Sequence, residues 1–370
     1  MIKFILILCL LLCIFYILIQ VFYLVILFVK KRDQTLPLNE YPFISILVAA
    51  RNEENNITNC LLSLSQLDYP QDKFEVIIGN DSSTDGTQQV IENFITEKSN
   101  FNLINLTGNE YPQTKGKARV LAVLANKAKG EYILITDADI VVGKQWAKGL
   151  VSGLVNENTV LAAGTTNIKA TTFLTQFQQV DWLYFMGIIN AFASVKKPLT
   201  AVGNNMAFSK KAYQNIGGYE TLPFSITEDY ALFKAVRKNG GNTSQFLSAN
   251  TLVYSQPIDT LMGLLRQRKR WLVGGWDLPA YYRAMIFVFG AWYIALPILF
   301  FLNFWLALAL LFLKDFIQLF QIIRLYKHLD RKIEHPWAVL FYDIYLFIMI
   351  PLTTLFFFWP SKTVWKGRKY

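Results

Sequence analysis

Cysteine and histidine are scarce in this chain, which has three cysteines and two histidines in 370 residues. Cys9 and Cys13 lie inside one apolar run and Cys60 stands alone, so a disulfide scaffold is excluded and a reducing compartment is indicated. His328 and His335 have no cysteine or acidic residue at ligand spacing, which argues against a zinc site. The chemistry of this protein must therefore come from other residue types.

Charged residues are also few, at 17% of the chain, whereas hydrophobic residues make up 53%. Soluble domains have about 45–50% apolar and about 25% charged residues, so part of this chain is expected to lie in a membrane. Much of the excess behind the net charge of +10 lies beside the apolar runs, where anionic lipid headgroups are the natural partners of lysine and arginine. We therefore expect membrane lipids, and no nucleic acid, as a partner.

The chain begins with an apolar run over residues 4–29, in which Gln20 is the one strongly polar residue. Its length exceeds the roughly 20 residues that cross a bilayer. A signal peptide would have a shorter apolar region, followed by small residues at a cleavage site, but the basic cluster 30–32 follows instead. Residues 1–32 are therefore predicted to form a transmembrane helix, and the positive-inside rule places its carboxyl end in the cytoplasm.

The middle of the chain alternates between short β-branched runs and stretches of helical periodicity, which predicts an α/β domain over residues 33–257. The predicted strands are 44–49, 74–79, 102–105, 132–136 and 160–163, and the predicted helices between them are 57–67, 87–96, 117–128 and 145–155. This alternation favours parallel strands with right-handed crossovers. Such a sheet places its working residues just after the carboxyl ends of its strands.

The last part of the chain is basic and then apolar again. Residues 258–283 predict an amphipathic interface helix, residues 284–359 two or three membrane segments, and residues 360–370 a basic cytoplasmic tail. The region 284–323 is long enough for two antiparallel spans. Because basic residues flank the apolar segments, the positive-inside rule would then make the last segment re-entrant or interfacial around Pro351. The sequence leaves the number of spans open.

Two carboxylates, Asp137 and Asp139, directly follow the predicted strand 132–136. On an extended chain, residues i and i+2 point to the same side, so this pair can share one hard cation. Mg²⁺ and Mn²⁺ prefer oxygen ligands and often bridge carboxylates to substrate phosphates, which suggests a phosphorylated substrate. The alternative is a solvated turn at a strand end.

Polar loops before helices offer further candidates. Asp81 follows the second strand and can accept a hydrogen bond from a base or ribose; in the same loop Asp85 and Gly86 suit a turn and Thr87 suits a helix cap. The loop 115–117 carries two lysines before a helix and suits a phosphate, although surface lysines are usually only solvated.

Residues 227–229 read Thr-Glu-Asp ahead of a helix that is predicted to end at Asn239. Helix capping with acidic first-turn residues explains this pattern as well as a general base does. As a base, a carboxylate facing an acceptor hydroxyl would remove its proton during group transfer.

The basic segment 266–271 contains Gln267, Arg270 and Trp271, which share one face of a helix because they are three and four residues apart. An interfacial helix on lipid headgroups would account for the charge of this segment. The shared face additionally suits a function in which Arg270 neutralises a leaving diphosphate and Trp271 stacks on a sugar or acceptor.

Taken in order, these motifs resemble those of the membrane-bound family 2 glycosyltransferases, over residues 43–276. They are Val48-Ala49-Ala50-Arg51-Asn52-Glu53, Asn80-Asp81-Ser82-Ser83-Thr84-Asp85-Gly86-Thr87, Gly116-Lys117-Ala118, Asp137-Ala138-Asp139, Thr227-Glu228-Asp229 and Gln267-x-x-Arg270-Trp271. The last motif is typical of the branch that includes hyaluronan, chitin and cellulose synthases and ceramide glucosyltransferases.

The resemblance implies a cytoplasmic α/β domain of the GT-A (Rossmann-like) fold, a nucleotide-sugar donor and an inverting single displacement. It implies Mg²⁺ or Mn²⁺ as cofactor, held by Asp137 and Asp139. The nucleotide-binding residues it implies are Ala50, Arg51, Glu53, Asp81, Lys117 and Asp137, with Asp81 on the base. The catalytic residues it implies are Glu228, Asp229, Gln267, Arg270 and Trp271, with Asp229 as the base.

The expected function is transfer of a sugar from a nucleotide sugar, with a UDP-sugar favoured, to a lipid or lipid-linked glycan at the cytoplasmic face of a bacterial inner or plasma membrane. The basic tail looks like that of smaller lipid-glycosylating members, and we expect Lys366 or Arg368 to approach the diphosphate. The alternative is a processive polysaccharide synthase that forms its polymer channel as a homo-oligomer or with a partner subunit. The third interpretation is an inactive membrane scaffold.

Overall fold

The computed structural model of the protein describes residues 1–30, 33, 37–156, 159–360, 364–365 and 368–369. The strands are β1 Ile44–Ala50, β2 Phe74–Asn80, β3 Phe101–Asn105, β4 Tyr132–Asp137, β5 Ile140–Val142, β6 Leu161–Ala163, β7 Thr165–Ile168, β8 Asn205–Ser209, β9 Thr243–Gln245, β10 Leu252–Ser255, β11 Val364–Trp365 and β12 Arg368–Lys369. The α-helices are α1 Ile2–Val29, α2 Ile57–Ser65, α3 Thr87–Ile95, α4 Gly116–Lys127, α5 Trp146–Asn156, α6 Phe173–Ser194, α7 Lys210–Asn215, α8 Gly218–Thr221, α9 Glu228–Lys238, α10 Leu261–Gly275, α11 Ala280–Leu302, α12 Phe304–His328, α13 Pro336–Leu340 and α14 Tyr342–Phe358.

Some sequence predictions concern residues outside these described ranges. Lys31 and Arg32 of the first basic cluster lie outside the described residues, as do Lys366 and the side chain of Arg368. The approach of the tail to a diphosphate therefore stays a prediction.

The centre of the domain is a seven-stranded sheet with the order β3-β2-β1-β4-β8-β6-β9. Every strand and helix predicted between residues 44 and 163 is present, with ends within two residues of the prediction. The prediction of a parallel sheet holds for β1 to β4 but is wrong beyond them, because β8 pairs antiparallel with both β4 and β6. The sequence Asn205–Ser209 lacks β-branched residues, so its strand was not visible in the pattern.

A second sheet of three strands has the order β5-β10-β7. Strand β10 pairs antiparallel with β5 and parallel with β7. None of these strands was predicted; each has three or four residues, and pairing between distant segments of the chain forms them. Strand β5 follows β4 after a turn at residues 138–139, and this turn fixes the place of Asp139.

The first strands are buried and nearly continuous in apolar residues, as is usual for a sheet covered on both faces. Helix α4 lies closely against the carboxyl end of β2, because Gly79 has no side chain there. A Cβ atom at Gly79 would lie 2.5 Å from Val120 Cγ1. This close approach brings the start of α4 to the edge of the sheet where the strands end.

Helices α1, α11 and α12 are long and apolar enough to cross a membrane, and α11 and α12 form the two antiparallel segments predicted for residues 284–323. Helix α14 has 17 residues and is continuous through Pro351. At about 1.5 Å per residue it is shorter than the roughly 30 Å hydrocarbon core. The number of actual spans stays a prediction.

Helix α6 joins the α/β domain to the membrane-capable helices. The hydroxyl oxygen of Tyr184 lies 2.6 Å from Gln20 Oε1 of α1 and 2.7 Å from Gln321 Oε1 of α12, and its one proton can be donated to either oxygen. Near the other end of α6, Lys30 donates to Asn190 Oδ1 at 2.8 Å. Polar groups inside an apolar helix cluster are stabilised only when they are paired, so these contacts define how the helices pack.

Candidate active site

A cavity of about 230 Å³ opens at the carboxyl ends of β1, β2 and β4. All the residues predicted from the sequence as site residues line it: Ala50, Arg51, Glu53, Asp81, Lys117, Asp137, Asp139, Glu228, Asp229, Gln267, Arg270 and Trp271. The ends of the strands supply Ala50, Asp81 and Asp137. The start of α4 supplies Lys117, and the start of α9 supplies Glu228 and Asp229. Helix α10 closes the cavity from the side of the membrane helices.

The two carboxylates after β4 do not lie on an extended chain. Asp137 is the last residue of β4, but Ala138 and Asp139 form a turn before β5. The reasoning from alternating side chains was therefore wrong, because the chain bends where the pair occurs. The turn nevertheless leaves both carboxylates on the wall of the same cavity.

The arrangement around Asp137 and Asp139 fits a metal that binds together with a diphosphate. Among the residues that the structure describes, no group of three or more histidine, cysteine, aspartate or glutamate side chains could hold a metal ion. Mg²⁺ needs no such group, because it keeps several waters and uses one or two carboxylates together with substrate phosphates. The two carboxylates of Asp137 and Asp139, on the wall of a cavity that is also lined by Lys117 and Arg270, match that donor set.

Lys117 connects the end of β4 with the start of α9. Its Nζ lies 2.6 Å from Asp137 Oδ1 and 3.2 Å from Glu228 Oε1, and it donates to the carbonyl oxygen of Gly203 at 3.4 Å. Burial by itself would lower the pKa of the Lys117 ammonium, but the Asp137 and Glu228 carboxylates raise that pKa above its usual range. Lys117 is therefore a fixed positive charge between acidic groups.

Asp229 is held in one orientation by two backbone amides. The amide of Gly203 donates to Asp229 Oδ2 at 2.8 Å, and the amide of Tyr230 donates to Asp229 Oδ1 at 2.8 Å. Burial, followed by the neighbouring Glu228 carboxylate, raises the pKa of Asp229 to about 6. A carboxylate with this pKa is ionised at neutral pH and is a stronger base than an ordinary aspartate. Thr227, in contrast, forms no side-chain cap of α9.

Asp81 is enclosed by two arginines. Arg119 Nη2 donates to Asp81 Oδ1 at 2.9 Å, and Arg51 Nη1 donates to the Asp81 carbonyl oxygen at 2.6 Å. The side chain of Asp81 is almost fully buried. Sequence reasoning missed Arg119, because the face of α4 that meets a buried carboxylate is known only once the helix is placed against β2.

The loop after β2 differs from its predicted capping arrangement. Thr87 does not cap α3; its hydroxyl accepts from the Glu53 amide at 2.7 Å and donates to Asp85 Oδ1 at 2.5 Å. Asp85 Oδ1 also accepts from the Thr87 amide at 3.1 Å. The Glu53 carboxylate is buried and accepts from Asn56 Nδ2 at 2.8 Å. These bonds tie the loops after β1 and β2 together beneath the cavity.

Helix α10 presents Gln267, Arg270 and Trp271 to the cavity, as their spacing predicted. Within the described part of the chain, Arg270 has no ion-pair partner, so it is an available cation on the cavity wall. The ring of Trp271 packs against Trp182 at 5.1 Å and Phe185 at 6.2 Å between centroids. Trp182, like Gly203, lines the cavity and was missed, because α6 and the loop before β8 reach the site only through tertiary packing.

The sequence is similar to those of known glycosyltransferases. The probable glycosyltransferase YdaM of Bacillus subtilis is 30% identical over 242 residues, 64% of this chain and 56% of YdaM. The poly-β-1,6-N-acetyl-D-glucosamine synthase of Staphylococcus epidermidis is 28% identical over 239 residues, 64% of this chain and 55% of the synthase. This chain thus spans little more than half the length of these relatives.

The fold is that of a solved mannosyltransferase, PcManGT from Pyrobaculum calidifontis in complex with GDP-Man and Mn²⁺, with a TM-score of 0.62 at 18% identity. The match covers 98% of this chain and 100% of the other. It confirms the predicted GT-A fold, and the three membrane-capable helices support the prediction of a membrane protein. The resemblance to membrane-bound family 2 enzymes is confirmed in its broad class. The family model of glycosyl transferase family 21 matches residues 7–370. The chain therefore belongs to this family.

Proposed function

We propose that this glycosyltransferase moves a sugar from a nucleotide sugar, with a UDP-sugar favoured, to a hydroxyl of a lipid or lipid-linked glycan. The observation that carries this proposal is the single cavity that holds a base, a carboxylate pair and an available cation beside membrane helices. Asp229 lies on one wall and Arg270 on another, and both line the same space as Asp137 and Asp139. Each group has a task in transfer from a diphosphate.

In the proposed reaction, Asp229 accepts the proton of the acceptor hydroxyl while that oxygen attacks the anomeric carbon. Its two amide contacts keep the carboxylate in place, and its pKa of about 6 suits a base at neutral pH. Attack from the side opposite the diphosphate inverts the anomeric configuration. Arg270 and the start of α4 stabilise the negative charge that develops on the leaving diphosphate. When bound, Mg²⁺ or Mn²⁺ would be held by Asp137 and Asp139 and would supply further positive charge there.

Asp81 is proposed to hold the base of the donor. Its carboxylate accepts a hydrogen bond from Arg119, and its backbone carbonyl accepts one from the Arg51 guanidinium. A buried carboxylate can accept a hydrogen bond from the ring N–H of uracil, and the ring N–H of guanine offers the same donor. Both UDP- and GDP-sugars therefore belong in the experimental panel.

A cytoplasmic catalytic domain is supported by the charges at one end of the membrane helices. Arg324 Nε donates to the Leu27 carbonyl oxygen at 3.1 Å, so the carboxyl ends of α1 and α12 lie side by side. Both ends carry cations, with Lys30 on the first and Arg324 and Lys327 on the second. By the positive-inside rule this end faces the cytoplasm.

The second candidate function is a processive polysaccharide synthase. It is favoured by the similarity to the poly-β-1,6-N-acetyl-D-glucosamine synthase of Staphylococcus epidermidis. A processive enzyme needs a channel for its polymer, which this chain would form with further copies or a partner subunit. The size of the product distinguishes the two functions.

The test is sugar transfer by the purified chain in lipid nanodiscs. Radiolabelled UDP- and GDP-sugars are supplied with Mg²⁺ or Mn²⁺ and a membrane lipid extract, and wild type is compared with Asp229→Asn and with the surface control Asp72→Asn. Label in an extractable lipid, lost only in Asp229→Asn, supports the proposal. Label in a high-mass polymer supports the synthase, and no turnover of any donor supports the inactive scaffold.

A further inference from the structure

Asp181 connects the catalytic cavity to the membrane helices. It lies on α6, and its carboxylate has a partner on each side. The guanidinium of Arg268 on α10 pairs with Asp181 Oδ2. From the opposite side, the hydroxyl of Tyr342 on α14 donates to Asp181 Oδ1 at 2.6 Å. One carboxylate thus joins three helices.

The guanidinium of Arg268 has a second contact, with the ring of Trp271. Its Cζ lies 4.9 Å from the ring centroid, one helical turn along α10. Trp271 is further packed by Trp182 edge-on and by Phe185 in a stacked arrangement. Trp271 lines the cavity. The orientation of its ring there therefore depends on the position of the Arg268 guanidinium.

The contact between Asp181 and Arg268 is well shielded from water, since their side chains are 15% and 20% exposed. Loss of one partner from such a pair leaves the other charge unpaired in a poorly solvated place, so the remaining side chain moves toward water. For Arg268 that movement would take the guanidinium away from Trp271. A second hydrogen bond connects α10 to the end of α14. Lys269 Nζ donates to the carbonyl oxygen of Trp359, the residue after α14, at 2.6 Å.

We propose that Asp181 is a positioning residue for the acceptor side of the site. It acts through Arg268 on Trp271 and so couples the catalytic cavity to α14. It does not act on the donor side, where Asp81 is held by Arg51 and Arg119 from other elements. This inference rests on the proposed function, in which Trp271 lines the acceptor path.

The kinetic test uses a graded series of variants. Asp181→Asn removes the charge, Asp181→Glu keeps it, and Tyr342→Phe removes only one hydrogen bond to the carboxylate. Asp68→Asn, which breaks a more exposed ion pair with Lys148, is the matched control. We expect Asp181→Asn to lower kcat or raise the acceptor KM by roughly tenfold, because small misplacements of a site wall have effects of that size.

The expected pattern has three parts. The donor KM stays within about twofold of wild type, Asp181→Glu recovers part of the loss, and Tyr342→Phe shows a smaller loss of the same kind. An unchanged donor KM also shows that the variant is folded. An equal rise of the donor KM and the acceptor KM in Asp181→Asn would overturn the inference. Unchanged kcat and KM values in this variant would overturn it as well.

A second measurement does not depend on turnover. Helix α10 carries trypsin sites at Arg268, Lys269 and Arg270, and limited digestion in nanodiscs reports how firmly the helix is held. We expect several-fold faster cleavage in α10 of Asp181→Asn and no change in Asp68→Asn. If wild type transfers no sugar, the proposed function fails, and unchanged cleavage in Asp181→Asn would separately overturn the positioning role.

Discussion

The amide of Gly203 donates a 2.8 Å hydrogen bond to Asp229 Oδ2, and no side chain stands between the two residues. A Cβ atom at position 203 would lie 2.6 Å from Asp229 Cβ, closer than folded proteins tolerate. The loop before β8 must therefore carry glycine here for the carboxylate to reach its amide. A backbone donor fixes the orientation of the base without competing for a proton.

Gly203→Ala should accordingly reduce transfer. The added methyl group displaces Asp229 or the loop, and we expect kcat to fall by roughly one hundredfold, since a shift of about 1 Å at a reacting group has that effect. Donor binding should change little. Steady-state kinetics compared with Gly290→Ala, where an added Cβ meets nothing within 4 Å, provides the check. Wild-type kcat in Gly203→Ala would show that this contact does not position the base.

Transfer should depend on pH through Asp229. Burial and the Glu228 carboxylate raise the pKa of Asp229 to about 6, and only the ionised form can accept a proton. The rate should therefore be constant above pH 7 and fall about tenfold per unit as the pH drops below 6. The measurement is kcat between pH 5 and 8 at saturating substrates. A rate that is unchanged between pH 7 and pH 5 would assign the proton to another acceptor.

Arg119 should be needed for donor affinity. Its guanidinium donates to the buried Asp81 carboxylate at 2.9 Å, and Arg119→Met leaves that carboxylate with one cation fewer. Loss of a charge-assisted hydrogen bond costs about 1.5–3 kcal/mol, so we expect nucleoside diphosphate to bind roughly 10 to 100 times more weakly. Calorimetric titration measures this, with the exposed Arg237→Met as control. Equal affinity in both variants would contradict the role given to Asp81.

Removal of divalent metal should stop transfer. The carboxylates of Asp137 and Asp139 offer oxygen ligands that Mg²⁺ or Mn²⁺ can complete only with substrate phosphate and water. We expect EDTA to abolish turnover, either ion to restore it, and Asp139→Asn to need a higher metal concentration. Turnover that persists in EDTA would leave Lys117 and Arg270 as the charges that stabilise the leaving diphosphate.

The sequence was informative where chemistry lies at the end of a local element. Asp81 and Asp137 could be found because each stands at the carboxyl end of an apolar strand, and Gln267, Arg270 and Trp271 because their spacing defines one helix face. Because β1 to β4 are parallel, the carboxyl ends of these strands lie at the same edge of the sheet. Local patterns therefore predicted which residues at the strand ends and on α10 line the cavity.

The remaining site residues depend on contacts between distant parts of the chain. Gly203 reaches Asp229 because the antiparallel strand β8 returns beside β4, and β8 has no recognisable strand pattern. Asp181 meets Arg268 only because α6 packs against both α10 and α14. Such partners are separated by many residues and share no spacing rule, so only the folded chain brings them together.

The membrane helices contain a buried ion pair whose removal tests their packing. Lys314 on α12 is fully buried and pairs with Asp343 at the start of α14, which also accepts from the Tyr293 hydroxyl of α11 at 3.0 Å. Asp343→Leu leaves the Lys314 ammonium without this partner, at an expected cost of about 3–5 kcal/mol in the free energy of unfolding.

The double variant Lys314→Met with Asp343→Leu removes both charges, and we expect it to regain most of that stability, because a matched apolar pair has no unpaired charge to bury. Thermal unfolding in nanodiscs compares both variants with Asp315→Asn, which removes the second and more exposed carboxylate partner of Lys314, 3.5 Å from its Nζ. If Asp343→Leu alone is as stable as the double variant, then Lys314 has another route to water, and α14 is not fixed to α12 by this pair.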